Sequence, residues 1–385
     1  MFSTTKKTGI LGGGQLGKML CIAAANLDLK TYCLDESADF PAGSVCTGFT
    51  EGSFRNYDDV MAFGSDKDTL TIEIEHVNME ALRDLERMGK AVHPHPRALE
   101  IIRDKGLQKQ FYAARGIPTA PFQVFESEKE LLAALTSGHL RFPFVQKIRR
   151  DGYDGRGVSV LRSEADVKNK LLQGPCIAET LAPIAAEIAV IAARNPQGEI
   201  RVYPAVEMDF HPEANLVERL LCPARISPLA AAQAEAIAER LIGELEICGL
   251  LAVEMFLNTD GQIWVNEAAP RPHNSGHHTI DSAVCSQFEQ HLRAINGLPL
   301  GDTRMHSAAV MLNLLGEAGY DGPVEYDGTE QCLSLPGVHL HLYGKARAKP
   351  MRKMGHLTVT APALDEAVEI ATKARQLIRV ISRSE

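Results

Sequence analysis

Residues 250–269 constrain this chain more than any other stretch, because they place two acids on two short apolar runs that can only meet as a hairpin. Leu250 to Leu257 carries a single carboxylate, Glu254; a second run, resuming after Asn258-Thr259-Asp260-Gly261, carries Glu267 just before Ala268-Ala269-Pro270-Arg271-Pro272-His273. Asn, Asp and Gly tolerate the backbone angles of a tight turn, so the tetrapeptide joins two antiparallel strands. If Leu257 pairs with Gln262, then Glu254 lies opposite Val265 and Glu267 sits two residues further on. Alternation then puts both acids on one face, diagonally adjacent. Two such carboxylates repel unless a cation lies between them. Magnesium, with phosphate oxygens completing its shell, is the hard, oxygen-seeking ion that fits.

The rest of the chain sets the frame for that hairpin. At 385 residues and 45% apolar composition it is long enough for two or three packed units. A net charge of −9 argues against general nucleic-acid affinity, so phosphate binding should be local. Cys21, Cys33, Cys46, Cys176, Cys222, Cys248, Cys285 and Cys332 are dispersed without metal spacing and read as reduced core thiols. No signal-peptide core or membrane-length apolar run is found, so a cytoplasmic protein without a membrane partner is the expectation.

Strand signals at Thr8 to Leu11, Lys30 to Leu34 and Thr69 to Glu75, with helices at Gln15 to Ala25 and Met79 to Met88, give an open parallel α/β unit. A helix over Leu99 to Arg115 leads into strands at 142–148, 158–161, 176–181, 187–193 and 200–206, then a helix at Leu229 to Cys248. After the acidic hairpin come a helix over Ser282 to Ile295, short strands at 308–314, 338–343 and 356–359, and a last helix at Leu364 to Ile378. The reading is α/β followed by α+β, with units at 1–98, 99–299 and a small mixed unit at 300–385.

Several motifs carry chemistry. Gly12-Gly13-Gly14-Gln15-Leu16-Gly17 lies between a strand and a helix, with Asp35 ending the next strand, which satisfies the dinucleotide pattern. Its mechanics require only an anion at a helix N-terminus, so a phosphorylated substrate or plain strand-to-helix packing fits equally. Lys147 ends a strand and Gly152-Tyr153-Asp154-Gly155-Arg156-Gly157 follows, a glycine-rich turn able to fold over phosphate, or else an exposed charged turn. Glu179-Thr180-Leu181-Ala182 ends one strand and Glu187 lies on the next, where backbone groups can read a base edge and an acid can accept from ribose. His273 and His277 have metal-like spacing, but Pro272 and Gly276 favour a loop that hydrogen-bonds substrate. Lys345, Arg347, Lys349, Arg352 and Lys353 form a basic run, suited either to a phosphate monoester or to a solvated face.

Together, Gly14-Gln15-Leu16-Gly17, Gly152 to Gly157, Asn266-Glu267 with Ala269-Pro270-Arg271, His273-Asn274-Ser275-Gly276-His277, Ser286-Gln287-Phe288-Glu289 and Arg352-Lys353-Met354-Gly355-His356 resemble the ATP-grasp ligases. Within them the likeness is to the purine-biosynthesis branch that carboxylates aminoimidazole ribonucleotide. The resemblance implies an ATP-grasp fold with an N-terminal open α/β domain and a small C-terminal mixed domain, and a cytoplasmic homodimer. It implies ATP and magnesium as cofactors, and aminoimidazole ribonucleotide and bicarbonate as substrates.

Carried across, Lys105 and Lys147 would contact ATP phosphates and Gly152, Tyr153, Asp154, Gly155, Arg156, Gly157 and Val158 would form the lid. Glu179, Thr180, Leu181 and Ala182 would read adenine, Glu187 the ribose, and His211 would lie near the nucleotide. Glu254 and Glu267 would hold magnesium beside Asn266. Gln15, Leu16, Tyr153, Asp154, Arg156, His273 and Asn274 would contact the ribonucleotide, with Lys345 and Arg352 on its phosphate. Arg271, Asp154 and Lys147 are the candidate catalytic groups. The chain departs from the pattern at Asp151, at Lys105 in place of arginine, at His278 and at Ala185-Ala186. A different ATP-grasp ligase, or a nicotinamide-dependent dehydrogenase built on Gly12 to Gly17, are the alternatives.

Overall fold

The protein, seen as a computed structural model, is described over residues 3–150, 152, 157–210 and 217–383. Its first hundred residues form a parallel five-stranded sheet in the spatial order Gly48–Glu51, Lys30–Asp35, Lys7–Leu11, Thr69–Ile72, Ala91–His93. The two central strands are buried along almost their whole length because helices cover both faces. Chain order reverses between them, and the crevice at their carboxyl ends is where such sheets receive ligands. The Gly48–Glu51 strand and the Tyr57–Gly64 helix were not evident from periodicity.

Two expected elements divide. The helix expected over Leu99 to Arg115 is a pair, Pro96–Arg103 and Lys105–Ala114, separated by Asp104 in an extended conformation. Asp104 accepts from the Gly106 and Leu107 N–H groups and pairs with Arg149 and Arg150, so capping outcompetes helix continuation. The strand expected over 200–206 splits into Ile200–Val202 and Val206–Phe210 around Pro204, which has no N–H to donate to a ladder. The helix expected from Ser282 begins at Gln287, with Ser286 as its cap on the Glu289 N–H at 3.2 Å.

The central region is two sheets. A four-stranded sheet runs Phe122–Phe125, Cys176–Thr180, Phe144–Ile148, Val158–Leu161. A nine-stranded sheet runs from Ile263–Ala269 through Gly249–Asn258, Ile184–Arg194, Val206–Phe210, Val217–Cys222, Ala308–Leu315 and Lys353–Ala361 to Val338–Leu342, with Ile200–Val202 paired beside Ile184–Arg194. The ladder crosses position 299/300 through the pairing of Val217–Cys222 with Ala308–Leu315. The Pro228–Glu244 helix covers one face of the large sheet, over a core containing Leu241, Val253 and Val265. A second core joins the ends of the chain: Met19 and Leu20 pack with Phe288, Leu292 and Tyr343. That packing brings the first helix, the helix after the hairpin and the C-terminal strands to one place.

Candidate active site

The acidic hairpin is closer-knit than the sequence suggests. Its turn is closed by Asn258 N–H on the Gln262 carbonyl at 2.8 Å and Gly261 N–H on the Asn258 carbonyl at 2.9 Å. Leu257 pairs with Ile263 rather than with Gln262, and Met255 with Val265; the register then shifts, and Glu254 stands opposite Glu267. The expected diagonal placement, with Glu254 facing Val265, is therefore corrected. Asn266 is the extra residue of a β-bulge, a device that re-aims side chains next to functional sites. Without it Glu254 would face Asn266 and the two acids would not share a face.

Lysines converge on this pair. Lys105 Nζ forms an ion pair with Glu267 Oε2, and the Glu267 side chain remains 41% exposed. Lys147 Nζ donates to Asn266 Oδ1 at 2.7 Å and lies 2.8 Å from Glu179 Oε2. The Lys105 ammonium holds the Glu267 carboxyl well below its usual range, whereas burial and then the Glu267 charge push Glu254 up. One of the two acids thus keeps its charge and the other resists ionising, as two carboxylates sharing a site must. Burial opposes the Glu179 charge too, yet Lys147 and Lys109 outweigh it and keep that carboxyl low.

Magnesium fits this donor set. Among the described residues no group of three or more His, Cys, Asp and Glu side chains forms a cage. Two facing carboxylates beside an asparagine offer a partial shell of hard oxygens, the usual arrangement when phosphate and water complete it.

The glycine turn is filled from within. Gly12 has φ 116°, and a Cβ there would come 2.2 Å from Glu73 Cγ. Gly13 N–H donates to Asp35 Oδ2 at 2.7 Å, Gly14 N–H to Glu73 Oε1 at 2.8 Å, and Gly17 N–H to Glu73 Oε2. A protein carboxylate therefore sits where a dinucleotide's pyrophosphate would lie at the helix N-terminus. This removes the nicotinamide alternative. Glu73 follows the Thr69–Ile72 strand, which ends short of the expected Glu75. Its signal was position: an acid at the carboxyl end of a parallel strand, at the point where strand order reverses.

The histidine loop divides in two. Asn274–Gly276 is a single 3₁₀ turn. His273 Nδ1 accepts from the Ser275 N–H, which leaves Nε2 to carry the proton 3.4 Å from Glu254 Oε1. Burial lowers His273 to about 3, so the ring is neutral. His277 packs its ring 4.7 Å from that of His356. Both polar atoms of the Asn274 side chain are buried without a partner among the described residues. Arg271 is anchored from the N-terminal unit, its Nε 2.8 Å from Glu75 Oε1 in the loop after the Thr69–Ile72 strand.

Lys345 reaches the opposite end of the chain, donating to Gln15 Oε1 at 2.7 Å and to the Lys353 carbonyl at 2.6 Å. Leu16 packs in the core beside it. Arg352 directs Nη1 to the Arg347 carbonyl at 2.9 Å and is exposed. Thr180, Leu181 and Ala182 link the two sheets, with the Thr180 N–H on the Pro121 carbonyl. Glu187 faces Phe256 in the register, and burial pushes it up to about 7. Of the residues expected to form the lid, Gly152, Gly157 and Val158 are described, and the Gly157 carbonyl accepts from the Ile148 N–H at 2.9 Å. Asp151, Tyr153, Asp154, Gly155, Arg156 and His211 lie outside the described residues.

Comparison with known proteins places the chain in a family. Residues 5–103 match the ribonucleotide synthetase preATP-grasp domain, 110–288 the ATP-grasp domain, and 309–370 the phosphoribosylaminoimidazole carboxylase C-terminal domain. The N5-carboxyaminoimidazole ribonucleotide synthase of Bacillus subtilis is 36% identical, over 94% of this chain and 94% of its own. The chain belongs to the N5-carboxyaminoimidazole ribonucleotide synthase family of ATP-grasp proteins. Within that family, the N5-carboxyaminoimidazole ribonucleotide synthetase of Thermotoga maritima superposes with a TM-score of 0.90 at 39% identity, covering 98% of this chain and 100% of that one. The Aspergillus clavatus N5-carboxyaminoimidazole synthase, solved with ADP and 5-aminoimidazole ribonucleotide, has a TM-score of 0.89 at 32% identity and covers 97% and 98%. The chain spans 65% and 64% of the length of two phosphoribosylaminoimidazole carboxylases that it matches, from Candida glabrata and Vigna aconitifolia. Among the described residues no helix is long and apolar enough to cross a membrane.

Proposed function

We propose that this chain is an ATP-dependent ligase that carboxylates 5-aminoimidazole ribonucleotide with bicarbonate. The observation that carries the reading is Glu254 facing Glu267 across the bulge, with Lys105 and Lys147 beside them. A bicarbonate oxygen attacks the γ-phosphorus of ATP, the bond to the β,γ-bridging oxygen breaks, and ADP leaves. The exocyclic amine then attacks the carbon of carboxyphosphate, releasing phosphate and one amine proton.

The chain's own residues act mainly by position and charge. Lys147 is the cation for the transferred phosphate, Arg271 steadies the anionic carbon group, and neutral His273 offers its Nε2 proton to an oxygen. Asp154 is assigned to positioning or deprotonating the amine, and Tyr153 and Arg156 to the ribonucleotide. Lys345 and Arg352 are assigned to its phosphate, supported by the Lys345 contact with Gln15 at the glycine turn. Magnesium held by Glu254 and Glu267 would neutralise phosphate charge. Units at 1–98, 99–299 and 300–385, a homodimer and a cytoplasmic location belong to the same proposal.

The test is ADP release in bicarbonate buffer, with and without the ribonucleotide. Release that depends on both substrates, with acid-labile carbon fixed on the ribonucleotide, supports the reading. ADP release indifferent to both overturns it.

A further inference from the structure

Glu179 lies between two lysines whose surroundings differ. Lys147 Nζ is 2.8 Å from Glu179 Oε2 and donates to Asn266 Oδ1, while Lys109 Nζ is 2.9 Å from Glu179 Oε1. Lys109 also donates to Thr119 Oγ1 at 2.6 Å and to the Val265 carbonyl at 3.1 Å, so two hydrogen bonds hold its ammonium in place beside the Glu179 ion pair. Its side chain and that of Glu179 are 2% and 3% exposed. Lys147 stands at the strand end that pairs with Val158 at the foot of the glycine-rich turn. Lys109 comes from the Lys105–Ala114 helix and ties the Cys176–Thr180 strand of one sheet to the Ile263–Ala269 strand of the other.

A phosphate drawing Lys147 toward it removes one of the two cations on Glu179. A buried carboxylate left without a counter-charge is strongly disfavoured. We propose that Lys109 is a positioning residue, the standing counter-charge of Glu179 that releases Lys147 to bind the nucleotide's phosphates. This rests on the ATP reading above. Lys109 touches no substrate in this scheme; it acts through Glu179.

The experiment is calorimetric binding of ATP and of AMP to the full chain. Lys109→Met leaves Glu179 with Lys147 alone, so ATP affinity should fall about tenfold while AMP affinity stays within about twofold. Lys109→Met combined with Glu179→Gln removes the charge that needs balancing and should bind ATP within about threefold of Glu179→Gln alone. An unchanged ATP-to-AMP ratio in Lys109→Met overturns the proposal. If that variant fails to fold, the comparison of Glu179→Gln with the double variant decides: equal ATP affinity supports the proposal, and a tenfold loss in the double variant overturns it. Wild-type protein that binds no ATP overturns the nucleotide reading itself, and this inference with it.

Discussion

Glu254 and Glu267 are direct register partners across an antiparallel hairpin, brought face to face by a one-residue bulge at Asn266. Like charges directly opposite one another destabilise a sheet. The fold tolerates the pair because Lys105 sits on one acid and the other resists ionisation.

Glu267→Gln should lower ADP formation about a hundredfold or more, since it removes a magnesium ligand charge while keeping shape. Folding should change little, because Lys105 loses a partner while Glu254 loses a repelling neighbour. Coupled ADP release and a circular-dichroism melt check both halves. A folded variant with near-normal turnover would refute the metal assignment.

Magnesium-ATP should raise the melting midpoint by several degrees through mass action, and NAD or NADP should leave it unchanged. The second half follows from the glycine turn, whose N–H groups are already taken by Asp35 and Glu73. A shift with NAD alone would contradict that structure-based argument.

Arg352→Ala and Lys345→Ala should each raise the Michaelis constant for the ribonucleotide far more than that for ATP. A charge-assisted phosphate hydrogen bond is worth about 1.5–3 kcal/mol, or roughly ten- to a hundredfold. The double variant should lose less than the sum if both grip one phosphate. Unaltered ribonucleotide kinetics in folded variants would make the basic run a solvated face.

Glu187 supplies a pH test. Its carboxyl, pushed by burial up to about 7 from a normal 4.5, binds its proton more tightly folded than unfolded. Its stabilising contribution is therefore complete below about 4.5 and is lost as pH rises toward and through 7. Relative to wild type, Glu187→Gln should gain in melting temperature between pH 5 and pH 8. Melts of both proteins across that range measure it, and a constant difference would mean that Glu187 is not the group responsible.

The sequence by itself determined the local elements and offered the candidate groups of the site. Gln15–Ala25 and Val158–Leu161 were legible to the residue, and the hairpin followed from Asn258 to Gly261, because turn chemistry and periodicity act between neighbours. Residue type alone made Glu254 and Glu267 candidates for holding a cation. What only the tertiary structure decided were relations between distant segments. The bulge at Asn266 is invisible to alternation, which assumes one residue per step. Glu73 enters the glycine turn from 56 positions away in sequence, Glu75 in the loop after the Thr69–Ile72 strand holds Arg271 beyond the Ile263–Ala269 strand, and Lys109 closes on Glu179 between two sheets. No spacing rule encodes such contacts. They exist because packing the apolar faces fixes where each strand ends, and the polar groups delivered to those ends must find their partners there.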